Sequence, residues 1–402
     1  MRPAVKSTAG GDETGCIEKY TIIVLLQENR LSNKIQPSNV ARNKIAIIGD
    51  ALVVAGGAER VTLFLSNIFP DAPIYTSVYL PENTCPEFKG RQIITMPLAA
   101  WVKDERQFKR SFPWWYLNFS YLDLGGFDII ISSSSYLAKY IHPPKGVPHI
   151  CCLQNPLRFL WKPSEYSRQS SPYGPTSMAV IKLLLPLARR IDIVKTRRID
   201  HVIANSQNMV NQIRQVYGIE ADLAYPPVAI DQFSIAESIG DYYLYAGRLI
   251  SHKRADLAIQ ACNRLKRRLI VAGDGMERAA LEKLGREAVE FVGRVSDEKL
   301  KELYSNCRAL LFPNDEDFGI VPVEAQASGR PVIAYRSGGA LETILENQTG
   351  VFFNDQNVES LCDAIIKFEK MEFDPELIRA NAMRFDQAVF ADKIRGCVER
   401  FE

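Results

Sequence analysis

Histidine is scarce, with four residues in 402, and no His, Cys or Asp group recurs at the spacing of a transition-metal site. Charge of one sign is also missing: 49 Lys and Arg against 47 Asp and Glu leave a formal charge of +2. So small a charge gives no field for neutralising a run of phosphates, which argues against nucleic acid as the main partner. The eight cysteines form no paired CxxC pattern, and no charged, apolar and small-residue series of a secretory signal opens the chain. A reduced, cytoplasmic protein is the expectation. No apolar run approaches the ~18 residues that would span a bilayer, so any membrane contact is expected to be peripheral, at the inner face. Repeats and low-complexity tracts are absent as well.

Hydrophobic residues at 47% and charged residues at 24% are ordinary for a globular chain. A length of 402 residues exceeds one typical domain of roughly 100 to 200, so two globular units are expected. Residues 1–43 hold a Gly/Ser/Thr/Asp opening and one short apolar run at 21–26, and read as a poorly ordered extension. From residue 44 onward, short β-branched runs alternate with amphipathic helical stretches, the pattern of parallel βαβ units. Strands are expected at 44–49, 128–132, 149–153 and 201–205, then at 242–246, 268–272, 289–292, 309–312 and 331–335, the later ones each followed by a helix-length segment. Tyr225-Pro226-Pro227-Val228 cannot continue a helix or a central strand, which places a boundary there and gives domains at 44–225 and 226–377. The fold class is α/β, two Rossmann-like doubly wound domains facing each other across a cleft.

The charge is uneven in one place. Between 181 and 198, Lys182, Arg189, Arg190, Lys195, Arg197 and Arg198 stand against the single acid Asp192, beside Leu183, Leu184 and Leu185. Two readings stand: a helix lying on an anionic membrane surface, or an interdomain helix with a solvated basic face.

The chemistry concentrates late in the chain. The segment from Phe312 to Pro331 reads strand, loop, short helix and stop, with Pro322 suited to a first helical turn and Gly329 and Pro331 to its end. The amides of Phe318, Gly319, Ile320 and Val321 then stand as unpaired donors at a positive helix end, suited to sugar hydroxyls or phosphate. Glu324 shares a helical face with Ile320 and Val321, where its carboxylate can accept from a ribose diol, and Glu316 sits in the preceding loop. Asp315-Glu316-Asp317 resembles a Mg²⁺ or Mn²⁺ pair, but such ions need further oxygen ligands, so no metal and no other cofactor is expected. Without a cation, the departure of a diphosphate needs protein charge, and Arg248 and Lys253 supply it after the strand at 242–246. Gly56 and Gly57 follow the first strand and permit a close backbone approach. Gly273-Asp274-Gly275 begins like a dinucleotide fingerprint but lacks the third glycine, and reads as a strand-to-helix turn.

Together, Gly56-Gly57, Ala204-Asn205-Ser206, Pro226-Pro227-Val228, Gly247-Arg248 with Lys253, Phe291-Val292-Gly293-Arg294 and the Glu316 to Glu324 segment resemble the retaining glycosyltransferases of family four, of the polysaccharide-building type. The resemblance runs from about residue 44 to the C-terminus and implies the GT-B fold, with a C-terminal helix at 378–402 crossing back to the first domain. It implies that Arg248 and Lys253 bind the donor diphosphate, Glu324 the ribose, and Gly293, Arg294 and Val295 the base through backbone groups. Glu316 and the amides of Phe318, Gly319, Ile320 and Val321 would hold the hexose, with Gly56, Gly57 and Asn205 joining the donor side. The implied substrates are a nucleotide-sugar, UDP-glucose first and GDP-mannose as the alternative, and a glycan or lipid-linked glycan, as in envelope polysaccharides such as those of cyanobacterial heterocysts. Two departures fall on the acceptor side. Gln154 and Ser135 stand where related sequences carry His, and neither can serve as an imidazole base. A sugar-nucleotide epimerase of the same fold and a non-catalytic UDP-sugar binder are the rival readings, with His142, His149 and His201 read as structural.

Overall fold

The computed structural model describes residues 43–104, 107–108, 112–161 and 175–402. The chain divides into two units, 1–43 and 44–402; the extension expected at 1–43 lies outside the described residues but for Asn43, and every described strand and helix belongs to the second unit.

Its first half holds β1 (Ile45–Gly49), β2 (Ile74–Thr76), β3 (Ile93–Thr95), β4 (Ile129–Ser134), β5 (His149–Leu153), β6 (His201–Ala204) and β7 (Asp222–Leu223) in one sheet of order β3-β2-β1-β4-β5-β6-β7. Its second half holds β8 (Tyr242–Ala246), β9 (Arg268–Ala272), β10 (Val289–Gly293), β11 (Leu310–Phe312), β12 (Val332–Tyr335) and β13 (Gly350–Phe353), ordered β10-β9-β8-β11-β12-β13. All ladders are parallel. Helices cover such sheets on both faces, which is why β1 and β5 are buried along their whole length and read as continuous apolar runs without alternation.

The first sheet is flanked by α1 (Gly57–Ile68), α2 (Phe112–Ser120), α3 (Arg158–Trp161), α4 (Pro175–Thr196) and α5 (Gln207–Tyr217). The second is flanked by α6 (Ala255–Leu265), α7 (Arg278–Leu284), α8 (Asp297–Asn306), α9 (Ile320–Ala327), α10 (Ala340–Thr343), α11 (Val358–Phe368) and α12 (Pro375–Ala382); α13 (Gln387–Val398) comes last. Beside the linker, Val228 N–H donates to Phe385 O at 3.0 Å and Gln387 N–H to Val228 O at 3.0 Å. From there α13 runs onto the first half, where Lys393 Nζ reaches Leu223 O at 2.9 Å and Arg400 Nη1 reaches Asp222 Oδ2 at 2.9 Å.

The short strands β2, β3, β7 and β13 have no counterpart among the sequence expectations, because two to four residues carry too little periodicity to read. The helix-length segment expected after β12 is corrected to the four residues of α10. Ser337-Gly338-Gly339 takes up the remaining length as a turn pressed onto the loop at Glu316.

His149 is buried on β5, with Nε2 at 2.7 Å from Ser132 Oγ on β4. Burial pulls its pKa from 6.5 down to about 3. Between those values the unfolded chain binds a proton that the folded histidine refuses. Stability therefore falls as pH drops through this window, by at most about 1.4 kcal/mol per pH unit for one proton. The unfolding midpoint of His149→Gln should vary less steeply than that of the native chain between about pH 5 and 7. Parallel curves would remove His149 as the cause.

Candidate functional site

In doubly wound sheets the strand order reverses at a switch point, and ligands sit beyond the carboxyl ends of the strands there. The two switch points here lie between β1 and β4 and between β8 and β11. Arg248 follows β8 and Glu316 follows β11, so the two come from the strands that flank the second switch point. Lys253 closes the single 3-10 turn Ser251–Lys253 just after Arg248.

Lys253 Nζ forms an ion pair with Glu316 Oε1, and Asn314 Nδ2 donates to the same oxygen at 2.5 Å. Lys253 is further fixed through its carbonyl, which accepts from Tyr245 OH at 3.2 Å. Arg248 is exposed and makes no ion pair among the described residues, which leaves its charge open to a ligand at the mouth of the site. Gly319 caps α9 with φ 86°, a left-handed conformation that a side chain would strain, and so turns the chain from the acidic loop into the helix.

The acidic loop is held from behind by a second glycine pair. Gly339 N–H donates to Glu316 O at 2.8 Å, and Ser337 Oγ to Asp315 Oδ1 at 2.9 Å. A Cβ on Gly338 would stand 2.1 Å from Glu316 O, and one on Gly339 would stand 2.2 Å from the Phe318 backbone. Sequence reading passes over these glycines, although Gly-Gly after a strand is the signal that singles out Gly56-Gly57.

Glu324, expected to face a ribose diol, is buried, with Oε1 accepting from Arg60 Nη1 at 3.0 Å and Oε2 from Tyr304 OH at 2.9 Å. A carboxylate has about four acceptor positions, so capacity for hydroxyls remains, but the group is oriented by two fixed donors. Burial, followed by the neighbouring Glu324, raises the Tyr304 phenol well above its ordinary pKa and keeps it a donor. Arg60 belongs to α1, in the other half of the chain, and Gly57 beside it would bring a Cβ to 3.2 Å from Ile320 Cδ1. Gly57 with Ile320 and Arg60 with Glu324 thus meet at one seam, and Arg60 and Tyr304 are the partners that spacing alone does not single out.

On the opposite side, Asn205 Nδ2 donates to Gln154 O at 3.0 Å and to Gln154 Oε1 at 3.3 Å. The structure therefore pairs Asn205 with the acceptor-side candidate Gln154; no hydrogen bond or ion pair among the described residues joins either to Glu316. Ser135 gives its amide to Asp50 Oδ2 at 2.5 Å, and Asp50 also accepts from the amides of Tyr136, Leu137 and Ala138 at 2.7–2.8 Å. Burial raises the Asp50 pKa while these amides oppose the rise. Asp50, at the first switch point, locks the ends of β1 and β4, and it escapes sequence reading because a single acid after a strand has no motif. Gly293 ends the edge strand β10 with φ 70°, and Arg294 and Val295 follow; they lie two strands from β8, and no hydrogen bond or ion pair among the described residues joins them to Glu316. Gly273 and Gly275 press on the backbone of Gly247 and Leu249 between β9 and α7, the turn their spacing implied.

The halves also meet farther out. Glu342 accepts from the Gln207 amide at 2.7 Å and the Asn208 amide at 2.9 Å at the start of α5, while Gln212 Nε2 lies 3.4 Å from Asp317 Oδ1. Beside Asp317 opens a cavity of about 210 Å³, bordered by Asn155, Pro156, Trp161 and Gln212.

One cluster brings together a histidine, a carboxylate and a cysteine from distant parts of the sequence. His201, Asp222 and Cys397 place their donor atoms within 4.8 Å of one another, although nearly two hundred positions separate them in sequence. His201 Nε2 lies 3.2 Å from Asp222 Oδ2, but off the line that a hydrogen bond requires. Asp222 is also paired to Arg400, and the His201 ring packs edge-on against Phe401, so the cluster clamps the C-terminal segment onto β6 and β7.

Residues 55–232 match the family model described as Glycosyltransferase Family 4, and residues 231–385 match the one described as Glycosyl transferases group 1. Among curated relatives, sulfoquinovosyl transferase SQD2 of Arabidopsis thaliana is 29% identical over 214 residues, 48% of this chain and 41% of the relative. A GDP-mannose-dependent alpha-(1-6)-phosphatidylinositol monomannoside mannosyltransferase of Mycobacterium tuberculosis is 29% identical over 218 residues, 45% of this chain and 56% of the relative. The chain therefore spans only about half, or less, of the length of these relatives. The solved structure of HepE from Anabaena in complex with UDP superposes with a TM-score of 0.64 at 18% identity, over 89% of this chain and 100% of that one. At that identity the likeness is one of fold, two Rossmann-like domains in the GT-B arrangement.

Proposed function

We propose that this GT-B glycosyltransferase moves a hexosyl unit from a nucleoside diphosphate sugar to a glycan or lipid-linked glycan, with retention and without a metal ion. The observation that carries the reading is the meeting of Lys253, Asn314 and Glu316 at the switch point where Arg248 emerges and α9 begins. A cationic pair over a helix N-terminus suits a diphosphate, and a carboxylate held by Lys and Asn suits the hydroxyls of the adjoining sugar. Glu324, set by Arg60 and Tyr304, is oriented for a ribose. The cavity beside Asp317 faces the same loop and offers an acceptor its seat.

UDP-glucose is the donor proposed first. The relatives above include a GDP-mannose user, so base and sugar are for the titration to decide. Calorimetric titration with UDP, GDP, UDP-glucose and GDP-mannose is expected to give saturable binding for one nucleotide and its sugar. In Glu324→Ala that affinity should fall about tenfold or more, the loss of a charge-assisted hydrogen-bonding partner. Unchanged affinity removes the ribose role. Full turnover in EDTA is expected; activity abolished by EDTA and restored by Mn²⁺ removes the metal-free assignment.

A further inference from the structure

Helix α4 is built the wrong way round for water. Its carboxylate, Asp192, and its hydroxyl, Thr196, are buried, while Leu183 is 80% exposed and Leu187 59%, with Leu184, Ile191 and Val194 exposed beside them. At 100° per residue these five apolar side chains fall within an arc of about 100°. Arg190 and Arg197 border that arc on one side and Arg198 lies at its C-terminal end, all three exposed. The only acid in the stretch is spent inward, so every exposed charge on this face is positive.

A second element extends the surface. The imidazole of His142 bridges Ser120 O, at the end of α2, and Lys195 Nζ on α4, at 3.0 Å and 2.6 Å. Next to that junction Tyr121 is 83% exposed and Leu117 also stands out. A tyrosine has an apolar body and a polar tip, the form suited to a headgroup layer.

We infer that the outer face of α4, with Leu117 and Tyr121, docks on an anionic lipid bilayer. Leucine and isoleucine side chains enter the acyl boundary, and Arg190, Arg197 and Arg198 meet the phosphates above it. The apolar stripe and the positive border of α4 together select this occupant over water or a second copy, whose identical arginines would repel. Among the described residues no helix is long and apolar enough to cross the membrane, so the contact is one of lying on the surface.

The docking itself does not depend on the donor reading. One consequence does: Trp161, whose Nε1 donates to Asp192 at 2.6 Å from beneath α4, also borders the cavity beside Asp317. A lipid-linked acceptor would then rise from the bilayer next to the side of the cleft opposite the donor.

The test is sedimentation of the full chain with vesicles of about 30 mol% phosphatidylglycerol in phosphatidylcholine, and with pure phosphatidylcholine. The native chain should bind the anionic vesicles at least about tenfold more tightly than the neutral ones, and lose that margin in high salt. Leu183→Ser/Leu187→Ser/Val194→Ser should lower the partition at least about tenfold, and Arg190→Gln/Arg197→Gln/Arg198→Gln should flatten its salt dependence. Circular dichroism and retained nucleotide binding check that each variant is folded. Equal binding by the triple-serine variant, no binding by the native chain, or a native dimer that the serines dissolve would each overturn the proposal. Failure of nucleotide titration with vesicle binding intact would instead strike the donor reading alone.

Discussion

Lys253→Ala is expected to lower kcat by about 10² to 10³-fold with UDP-glucose as donor, and UDP affinity by much less. The ammonium lies in ion-pair contact with Glu316 and follows the strand that also delivers Arg248. In the ground state the electron pair of the anomeric C–O bond is shared with the sugar carbon; as that bond breaks, the pair, and with it one more negative charge, passes to the diphosphate oxygen. A cation fixed beforehand by Glu316, and by the Tyr245 hydroxyl on its own carbonyl, stabilises the later charge without first reorganising. Removing it also leaves Glu316, whose Oε1 it shares with Asn314, without its counter-charge. Lys253→Arg should recover part of the rate, since charge returns in a different shape. Turnover within a few-fold of the native rate in Lys253→Ala would falsify the assignment.

Much of this site is legible in the sequence because its residues are local. Arg248 to Lys253 and Glu316 to Glu324 are short runs, each anchored to one strand end, and a strand, loop, helix entrance and stop can be read from Pro322, Gly329 and Pro331 in sequence. The long strands β1, β5, β8 and β9 are equally readable, because burial on both faces makes them mostly apolar runs without alternation. What escapes is whatever depends on two distant segments meeting. Arg60 finds Glu324 across 264 positions, and Glu342 finds the start of α5 across more than a hundred. Gly338 and Gly339 support the Glu316 loop only because β12 lies beside β11. Asp50 gathers four amides from the end of β4, some 85 positions away. The inward turn of Asp192 belongs to the same class: in sequence it is one acid among six bases, and only packing shows that it faces the core.

That inward turn has the largest expected effect on stability. Asp192→Ala should cost about 3 to 5 kcal/mol, because it strands the Lys139 ammonium in the core. Lys139 Nζ lies 2.6 Å from Asp192 Oδ1, with the two side chains 1% and 0% exposed. Tyr140 OH donates to the carboxylate at 2.5 Å, Trp161 Nε1 at 2.6 Å and Tyr217 OH at 2.9 Å. Burial pushes the Asp192 pKa up, but Lys139 and these donors outweigh it and hold the group below the ordinary carboxylate value. Replacing both charges, Lys139→Met with Asp192→Leu, should recover most of the loss, since a paired charge in a core is roughly matched by well-packed apolar groups. Chemical denaturation of the two singles and the double measures the coupling. If the double is as unstable as Asp192→Ala, the phenols and indole, left without an acceptor, outweigh the ion pair. If the double is stable, the network's contribution is one of direction. It fixes which face of α4 is inward, and with it which leucines stand outside.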